Sequence, residues 1–232
     1  MSLYPIASES EAKDRLALVR HQIDEALRVS SRPKDDVKLL AVSKTFYDEI
    51  LPFYRAGQLI FGENYMQEAR DKVPRFPDDI EWHFIGRLQT NKARHAVNLF
   101  SVVQTLDKLE LAAELDKRLL NLESTLDVYI QINISGEDSK NGLSPEALPA
   151  FLEGLERFST LHVVGLMTMA PYDPDPELSR PHYAALRELR DKHAPRLKGL
   201  SMGMSDDFPV AISEGATIVR VGRALFGIRR RG

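Results

Sequence analysis

The chain has 232 residues, of which 43% are hydrophobic and 28% are charged, a composition typical of an ordinary soluble globular protein. Its formal net charge of −3 argues against a protein whose main task is to hold nucleic acid, because such proteins carry a basic surface. The absence of cysteine excludes disulfides and thiolate metal sites, and it fits a reducing compartment such as the cytoplasm.

The sequence contains no targeting or membrane-spanning pattern. Its N-terminus lacks a basic region followed by an apolar core, so we expect no signal peptide. No apolar stretch approaches the length of a membrane span. The six histidines show no ligand spacing on one helix face, so we expect no metal site. We therefore expect a cytoplasmic protein that binds neither membranes nor nucleic acid.

Helical and strand patterns alternate along the chain. A helix is predicted first, over 8–29, where Ser8 and Glu11 have the spacing of a capping box. Eight apolar or β-branched segments follow, at Lys38–Lys44, Leu59–Asn64, Glu81–Gly86, Val102–Asp107, Asp127–Ile134, His162–Met169, Gly199–Met204 and Thr217–Gly222. Amphipathic segments separate them, at Asp48–Ala56, Tyr65–Val73, Gln89–Asn98, Lys108–Leu120, Pro145–Phe158, Ser179–His193 and Asp206–Glu214.

Strands separated by single helices imply right-handed crossovers and a parallel sheet. Eight of them in this length predict an α/β fold, a (β/α)8 TIM barrel with an extra N-terminal helix. An open doubly wound sheet is the alternative, but it has a glycine-rich turn after the first strand, where this chain has Lys44-Thr45-Phe46. Since no linker divides the sequence, we expect one domain over 1–232.

Almost every predicted strand ends on a polar residue or glycine. The carboxyl ends of barrel strands form one face, which carries the function in this fold. These residues should therefore lie together: Lys44, Glu63, Asn64, His83, Gly86, Asp107, Asn133, Thr168, Ser201, Ser205, Arg220 and Gly222. Each alone is typical of a helix cap or a loop hydrogen bond, but their coincidence favours a binding site. Lys140, in the polar loop after the fifth strand, is interpreted as a surface residue, and the alternative is a lysine that takes the cofactor during transfer.

Lys44 is the most informative of these residues, because it ends an apolar run. Partial desolvation lowers the pKa of an ammonium group and makes the free amine available to form Schiff bases with carbonyl compounds. The alternative is a lysine that reaches from the strand end into water.

A phosphate site is predicted across the barrel from Lys44. Loops after the seventh and eighth strands commonly bind phosphate through backbone N–H groups, and here they contain Ser201, Ser205 and Gly222. We assign the phosphate to Ser201 and to the amides of Gly222 and Arg223, and less firmly to Ser205, since Asp206 and Asp207 follow it. A Schiff-base lysine combined with a phosphate site indicates pyridoxal 5′-phosphate (PLP), which has an aldehyde and a phosphate.

Six segments together resemble the YggS/PROSC family of pyridoxal phosphate homeostasis proteins. They occur in the family's order between Leu39 and Gly227: Ala41-Val42-Ser43-Lys44-Thr45, Phe61-Gly62-Glu63-Asn64-Tyr65, His83-Phe84-Ile85-Gly86-Arg87-Leu88-Gln89-Thr90-Asn91-Lys92, Gly165-Leu166-Met167-Thr168-Met169, Leu200-Ser201-Met202-Gly203-Met204-Ser205 and Val219-Arg220-Val221-Gly222.

The resemblance implies a PLP barrel of fold type III, like the N-terminal domain of alanine racemase. It implies that Lys44 carries PLP as a Schiff base, that Arg220 faces the pyridine nitrogen and that Asn64 lies close to the ring. It also implies that Ser201 and Gly222 hold the phosphate. The family commonly has threonine or serine where this chain has Arg223, so a backbone amide or the guanidinium must replace that hydroxyl.

Three functions are compatible with these residues. We favour a non-catalytic protein that holds PLP and delivers it to apo-enzymes, and we expect a monomer. An arginine opposite the ring nitrogen makes PLP a weak electron sink. Alanine racemase takes its second base from a C-terminal domain that we do not expect here. The alternatives are a minimal-barrel amino-acid racemase and a barrel that binds a phosphorylated metabolite without a cofactor.

Overall fold

Eight parallel strands close into a barrel in chain order, with the first strand paired to the last. The computed structural model describes residues 8–137 and 141–227. The strands are β1 (Lys38–Val42), β2 (Ile60–Glu63), β3 (Glu81–Phe84), β4 (Val102–Leu106), β5 (Leu126–Gln131), β6 (Leu161–Met167), β7 (Gly199–Ser201) and β8 (Ile218–Val221). The predicted (β/α)8 barrel is confirmed. Lys140 lies outside the described residues.

Helices connect the strands, and one long helix precedes the barrel as predicted. They are α1 (Glu9–Val29), α2 (Ile50–Arg55), α3 (Met66–Lys72), α4 (Ala93–Leu99), α5 (Leu109–Asn121), α6 (Leu148–Leu155), α7 (Arg180–His193), α8 (Phe208–Ser213) and α9 (Arg223–Phe226). Helix α9 was not predicted, because four residues are too few to show a helical period. No helix among residues 8–137 and 141–227 is long and apolar enough to cross a membrane.

Most strands end one to three residues earlier than their sequence pattern indicated. Lys44 and Asn64, for example, lie in the loops that follow β1 and β2. The difference matters because a residue in a loop is not bound by the alternation of a strand and can turn its side chain over the barrel mouth.

Helix α1 is fixed at its start and along its buried face. The Ser8 hydroxyl accepts a hydrogen bond from Glu11 N at 3.2 Å, which confirms half of the predicted capping box. The Arg15 guanidinium is only 4% exposed and donates to the carbonyl of Leu225 in α9 at 2.9 Å. This bond ties α1 to the helix that follows the last strand.

Two apolar cores stabilise the barrel, one outside the strands and one inside them. The larger lies between the strands and the surrounding helices. The smaller fills the lumen, where Leu40, Val42, Val102, Tyr129, Met167 and Ile218 are buried. The lumen also contains buried polar side chains, which need hydrogen-bond partners there, among them His83, Gln104, Ser201 and Arg220.

Candidate functional site

A cavity of about 230 Å³ opens at the carboxyl ends of the strands. It is lined by residues from loops that are far apart in sequence, among them Lys44, Asn64, Ser205, Arg220, Gly222 and Arg223. Five of the six residues predicted to bind the cofactor therefore surround one space. The sixth, Ser201, is fully buried, with its hydroxyl against Arg220.

Lys44 lies in a turn that is held on both sides by a buried ionic cluster. Before Lys44, the Ser43 hydroxyl donates to Glu63 at 2.6 Å, and the Ser43 carbonyl accepts from Lys72 at 2.9 Å. After it, the backbone N–H of Thr45 donates to Glu68. Thr45 has φ 69°, a left-handed conformation that a β-branched residue rarely adopts. Such a conformation persists only where surrounding bonds impose it.

The Lys72 cluster, comprising Lys72, Glu63 and Glu68, provides those bonds. The Lys72 ammonium is 0% exposed and lies 2.8 Å from Glu63 and 2.6 Å from Glu68. It also lies 4.7 Å from the centre of the Tyr47 ring. A buried ammonium is tolerated only when paired and hydrogen-bonded. Sequence reasoning missed Lys72, because a lysine on an amphipathic helix is normally solvated, and only its spacing from Glu68 hinted at a pair.

Glu63 has an altered proton affinity in this cluster. Burial raises the pKa of its carboxyl to about 7, although Lys72 and Ser43 act in the opposite direction. Its second oxygen, Oε2, is buried without a hydrogen-bond partner among the described residues. Glu63 was predicted among the residues of the functional face, and the structure places it behind Lys44 as a support.

The backbone of Asn64 packs closely against Gly86. A Cβ atom at Gly86 would lie 1.9 Å from the Asn64 carbonyl oxygen, so only glycine fits there. The Thr105 hydroxyl holds this segment by donating to the Gly86 carbonyl at 2.7 Å. The side-chain oxygen of Asn64 is buried and has no partner among the described residues. A polar atom of this kind on a cavity wall is suited to a bound ligand.

Arg220 presents a buried positive charge to the cavity. Its guanidinium donates to the Ser201 hydroxyl at 2.7 Å and to the Thr168 carbonyl at 2.8 Å. Burial lowers its pKa, while the charges of Tyr183 and Asp207 act in the opposite direction. No carboxylate in the described part of the chain forms an ion pair with it. The residue is therefore available to a ligand atom that accepts hydrogen bonds.

The rim of the cavity after β7 and β8 combines Ser205, Gly222 and Arg223. The Gly222 N–H donates to the Ser205 hydroxyl at 3.3 Å, and the Arg223 guanidinium pairs with Asp206. A Cβ at Gly222 would meet its nearest neighbour, Val42, at 3.5 Å, an ordinary contact. The packing of the chain therefore does not require glycine at this position, and the space beside its backbone remains open to a ligand.

The two aspartates after Ser205 do not repel an anion as strongly as the sequence suggested. Asp207 accepts from the Tyr183 hydroxyl at 2.7 Å and from the Met204 N–H at 2.6 Å, which holds the loop after β7 in place. Asp206 is paired with Arg223. Both carboxylates therefore have partners of their own, and Ser205 is better placed than Ser201 to contact a phosphate.

His83 was expected at this face but does not lie there. Its imidazole lies inside the barrel and lines a different concavity, at the amino ends of the strands. The prediction for His83 is wrong because it lies within β3, where its side chain points into the lumen below the mouth. The described residues contain no cluster of three or more histidines and carboxylates that could hold a metal ion.

These donors fit PLP. The open space at Gly222 and the rim hydroxyl suit a phosphate, the buried guanidinium suits a ring nitrogen, and the lysine suits an aldehyde. The family model of the alanine racemase N-terminal domain matches residues 15–230. The fold and the site thus define a barrel of the alanine racemase N-terminal class.

Relatives narrow the class further. A pyridoxal phosphate homeostasis protein from Aquifex aeolicus is 43% identical over 225 residues, covering 94% of this chain and 99% of the relative. PipY of Synechococcus elongatus, in a structure with PLP bound, is 37% identical with a TM-score of 0.75, covering 88% of this chain and 100% of that one. The chain belongs to the family of pyridoxal phosphate homeostasis proteins.

A likeness to alanine racemase is confined to the fold. The enzyme from Clostridium difficile superposes with a TM-score of 0.71 at 14% identity, covering 93% of this chain but 57% of that chain. The shared part is the barrel.

Replacing Glu63 tests the Lys72 cluster through the pH dependence of stability. A carboxyl with a pKa near 7 in the folded chain and 4.5 in the unfolded chain binds more protons when folded between those values. Its contribution to stability is complete below pH 4.5 and is lost as the pH rises through 7. In Glu63→Gln no carboxyl titrates at this position, so this loss of stability does not occur. The free energy of unfolding of the variant should therefore rise relative to that of the wild type, by up to about 3 kcal/mol, as the pH rises.

Urea unfolding at a series of pH values measures this difference. Glu110→Gln, on the exposed surface of α5, controls for the removal of one negative charge from the chain. Parallel curves for the wild type and Glu63→Gln would show that the cluster does not hold Glu63 as described.

Proposed function

We propose that this chain binds PLP in the cavity at the carboxyl ends of the strands and holds it for delivery to apo-enzymes in the cytoplasm. The observation that carries the proposal is the convergence of Lys44, Arg220 and the Ser205–Gly222 edge on one cavity. The PLP-bound structure of a 37% identical relative supports it.

Each part of the cofactor has a residue suited to it. Lys44 offers the amine that takes the aldehyde, and Asn64 offers a buried carbonyl oxygen beside the ring. Arg220 donates a hydrogen bond to the ring nitrogen. The Gly222 amide, the Ser205 hydroxyl and Arg223 hold the phosphate. We assign Ser201 to the support of Arg220 instead of the phosphate, because its hydroxyl already has two partners.

Arg220 limits the chemistry that the site supports. When bound, PLP supplies an aldehyde that bonds to amines and a ring that withdraws electrons from them. A guanidinium remains protonated at neutral pH, so it donates to the ring nitrogen and disfavours a proton there. An unprotonated ring nitrogen withdraws electrons weakly, and this favours holding the cofactor over turnover.

The carboxylates around the cavity already have ion-pair or hydrogen-bond partners in the protein. Asp206 is paired with Arg223, Asp207 with Tyr183, and Asp173 accepts from the Asp175 N–H at 2.9 Å. Tyr172 also lines the cavity, but it is 72% exposed and no hydrogen bond within the described part of the chain fixes its hydroxyl. Among the described residues, Lys44 is therefore the group best placed to move a proton, and it serves one face of the ring. Racemisation needs a base on each face.

Replacing Lys44 tests the attachment of the cofactor. The wild type incubated with PLP should acquire a yellow absorption band, and reduction with borohydride should fix the cofactor to Lys44 as a phosphopyridoxyl group. Lys44→Ala should lose the modification at this position, because no amine remains there. Mass spectrometry of the peptides locates the group, and exposed Lys108→Ala is the matched control. A wild type without the modification would favour a barrel that binds a phosphorylated metabolite without a cofactor.

Replacing Ser205 tests whether this residue, and not Ser201, contacts the phosphate. Ser205→Ala should weaken the binding of PLP by about tenfold, the worth of one hydrogen bond to a charged group, and should leave the binding of pyridoxal unchanged. Equilibrium titration with both ligands measures the difference. An equal loss for PLP and pyridoxal would place Ser205 away from the phosphate.

Incubation of the loaded chain with amino acids tests the absence of turnover. We expect no significant racemisation or transamination, because the ring nitrogen is unprotonated and a second base is not in place. Chiral chromatography and exchange of the α-hydrogen with deuterated solvent measure both reactions. Rapid exchange that disappears in Lys44→Ala would instead establish an amino-acid racemase.

A further inference from the structure

A continuous chain of hydrogen bonds crosses the lumen of the barrel. It begins at the cofactor cavity, where Arg220 donates to the Ser201 hydroxyl at 2.7 Å. Ser201 donates to the Gln104 amide oxygen at 2.6 Å, and the Gln104 amide nitrogen lies 2.8 Å from His83 Nδ1. His83 Nε2 then lies 2.7 Å from Glu81 Oε1, at the opposite end of the barrel.

The two ends of this chain give it a direction. A guanidinium only donates, and an ionised carboxylate only accepts. Since Ser201 accepts from Arg220, its own proton goes to the Gln104 oxygen. The Gln104 nitrogen therefore donates to His83 Nδ1, which must be unprotonated, and His83 Nε2 carries the proton that Glu81 accepts. The hydrogen-bond network thus assigns His83 as the neutral Nε2–H tautomer.

The inner members of the chain are isolated from water. Gln104 and Ser201 are 0% exposed and His83 is 1% exposed, so a lost bond could not be replaced by solvent. Glu81 is about one-third exposed, and its hydrogen bond with His83 lowers its pKa. It opens on a concavity of about 340 Å³, where the other charged or titratable groups near His83 are Asp35, Asp36, Lys38, Asp127, Tyr129 and Lys198.

Exchanging donor and acceptor in any hydrogen bond of this network leaves a buried polar group without a partner. A proton on His83 Nδ1 would face the amide nitrogen of Gln104, which is also a donor. Rotating the Gln104 amide would remove that conflict, but it would deprive the Ser201 hydroxyl of its acceptor. Ser201 accepts one of the two hydrogen bonds that the Arg220 guanidinium donates to the described part of the chain, so the disturbance reaches the cofactor cavity.

We propose that Gln104 and His83 are positioning residues of the cofactor site, which act through Ser201 to hold Arg220 toward the ring nitrogen of PLP. The consequence for the cofactor rests on the proposed function. The hydrogen-bond chain itself is a property of the protein without ligand. An experiment can therefore disprove the hydrogen-bond chain and the proposed function separately.

The first measurement uses the chain without PLP. Nitrogen NMR of the histidine side chains, with His83 assigned by its loss in His83→Gln, should show the Nε2–H tautomer at neutral pH. In Gln104→Glu the new carboxylate accepts from both neighbours, so His83 should take a second proton and become an imidazolium. A protonated Nδ1 in the wild type would overturn the proposal, whatever the chain binds.

The second measurement reads the ring nitrogen of isotope-labelled PLP bound to the chain. In the wild type and Gln104→Glu, Ser201 keeps its acceptor, and the ring nitrogen should stay unprotonated across the neutral range. In Gln104→Leu the acceptor is lost, Arg220 is released, and the ring nitrogen should become partly protonated as the pH falls. PLP binding should weaken by about tenfold.

His162→Gln is the matched control, because this exposed histidine lies 3.4 Å from Asp127 at the same end of the barrel and outside the chain of bonds. It should behave as the wild type. Urea unfolding of each variant without PLP checks that it folds. An unchanged ring nitrogen in a folded Gln104→Leu would overturn the positioning role, whereas a wild type that binds no PLP would overturn the proposed function alone.

Discussion

The rest of the site depends on a charged guanidinium inside the barrel. Taking Arg220 out of water is costly unless its N–H groups are hydrogen-bonded, and Ser201 and the Thr168 carbonyl meet part of that need. Ser201 in turn requires Gln104, so polar residues occupy positions that an apolar core would otherwise fill. The remaining capacity of the guanidinium faces the cavity. The hydrogen-bonding needs of Arg220 therefore explain why the lumen is polar and why the cavity suits a ligand atom that accepts hydrogen bonds.

A second buried charge supports the opposite side of the cavity. The Lys72 ammonium contacts no cavity atom that the structure records, yet it bonds to the turn that carries Lys44 and to Glu63 and Glu68. Both buried cations therefore act on the mouth of the barrel, Arg220 from β8 and Lys72 from α3. Arg220 faces the cavity, whereas Lys72 binds the Ser43 carbonyl and Glu68, which in turn accepts from Thr45 in its left-handed conformation.

Prediction succeeded where the signal is local. Each strand and helix repeats its hydrophobic period within a few residues, so the barrel followed from the alternation of elements. Prediction failed where it depended on the depth of a residue in the barrel. His83 was assigned to the carboxyl-end face together with the rest of its predicted segment, but it lies within β3 and its side chain lies in the lumen. How far a strand residue lies from the mouth depends on the stagger of the strands in the closed barrel, which the pattern of one strand does not show.

The sequence by itself determined the order of the eight strands and of the helices between them, and the residue types near the mouth, because both are visible in short stretches of neighbouring residues. Lys44 and Asn64, which follow β1 and β2, line one cavity with Arg220 in β8 and with Gly222 and Arg223 after it. Only the tertiary structure decided which groups pair. Ser201 and Gln104 are 97 positions apart, and Lys72 is 29 positions from the carbonyl it holds. Such contacts arise only when the barrel closes and excludes water, so no local pattern records them.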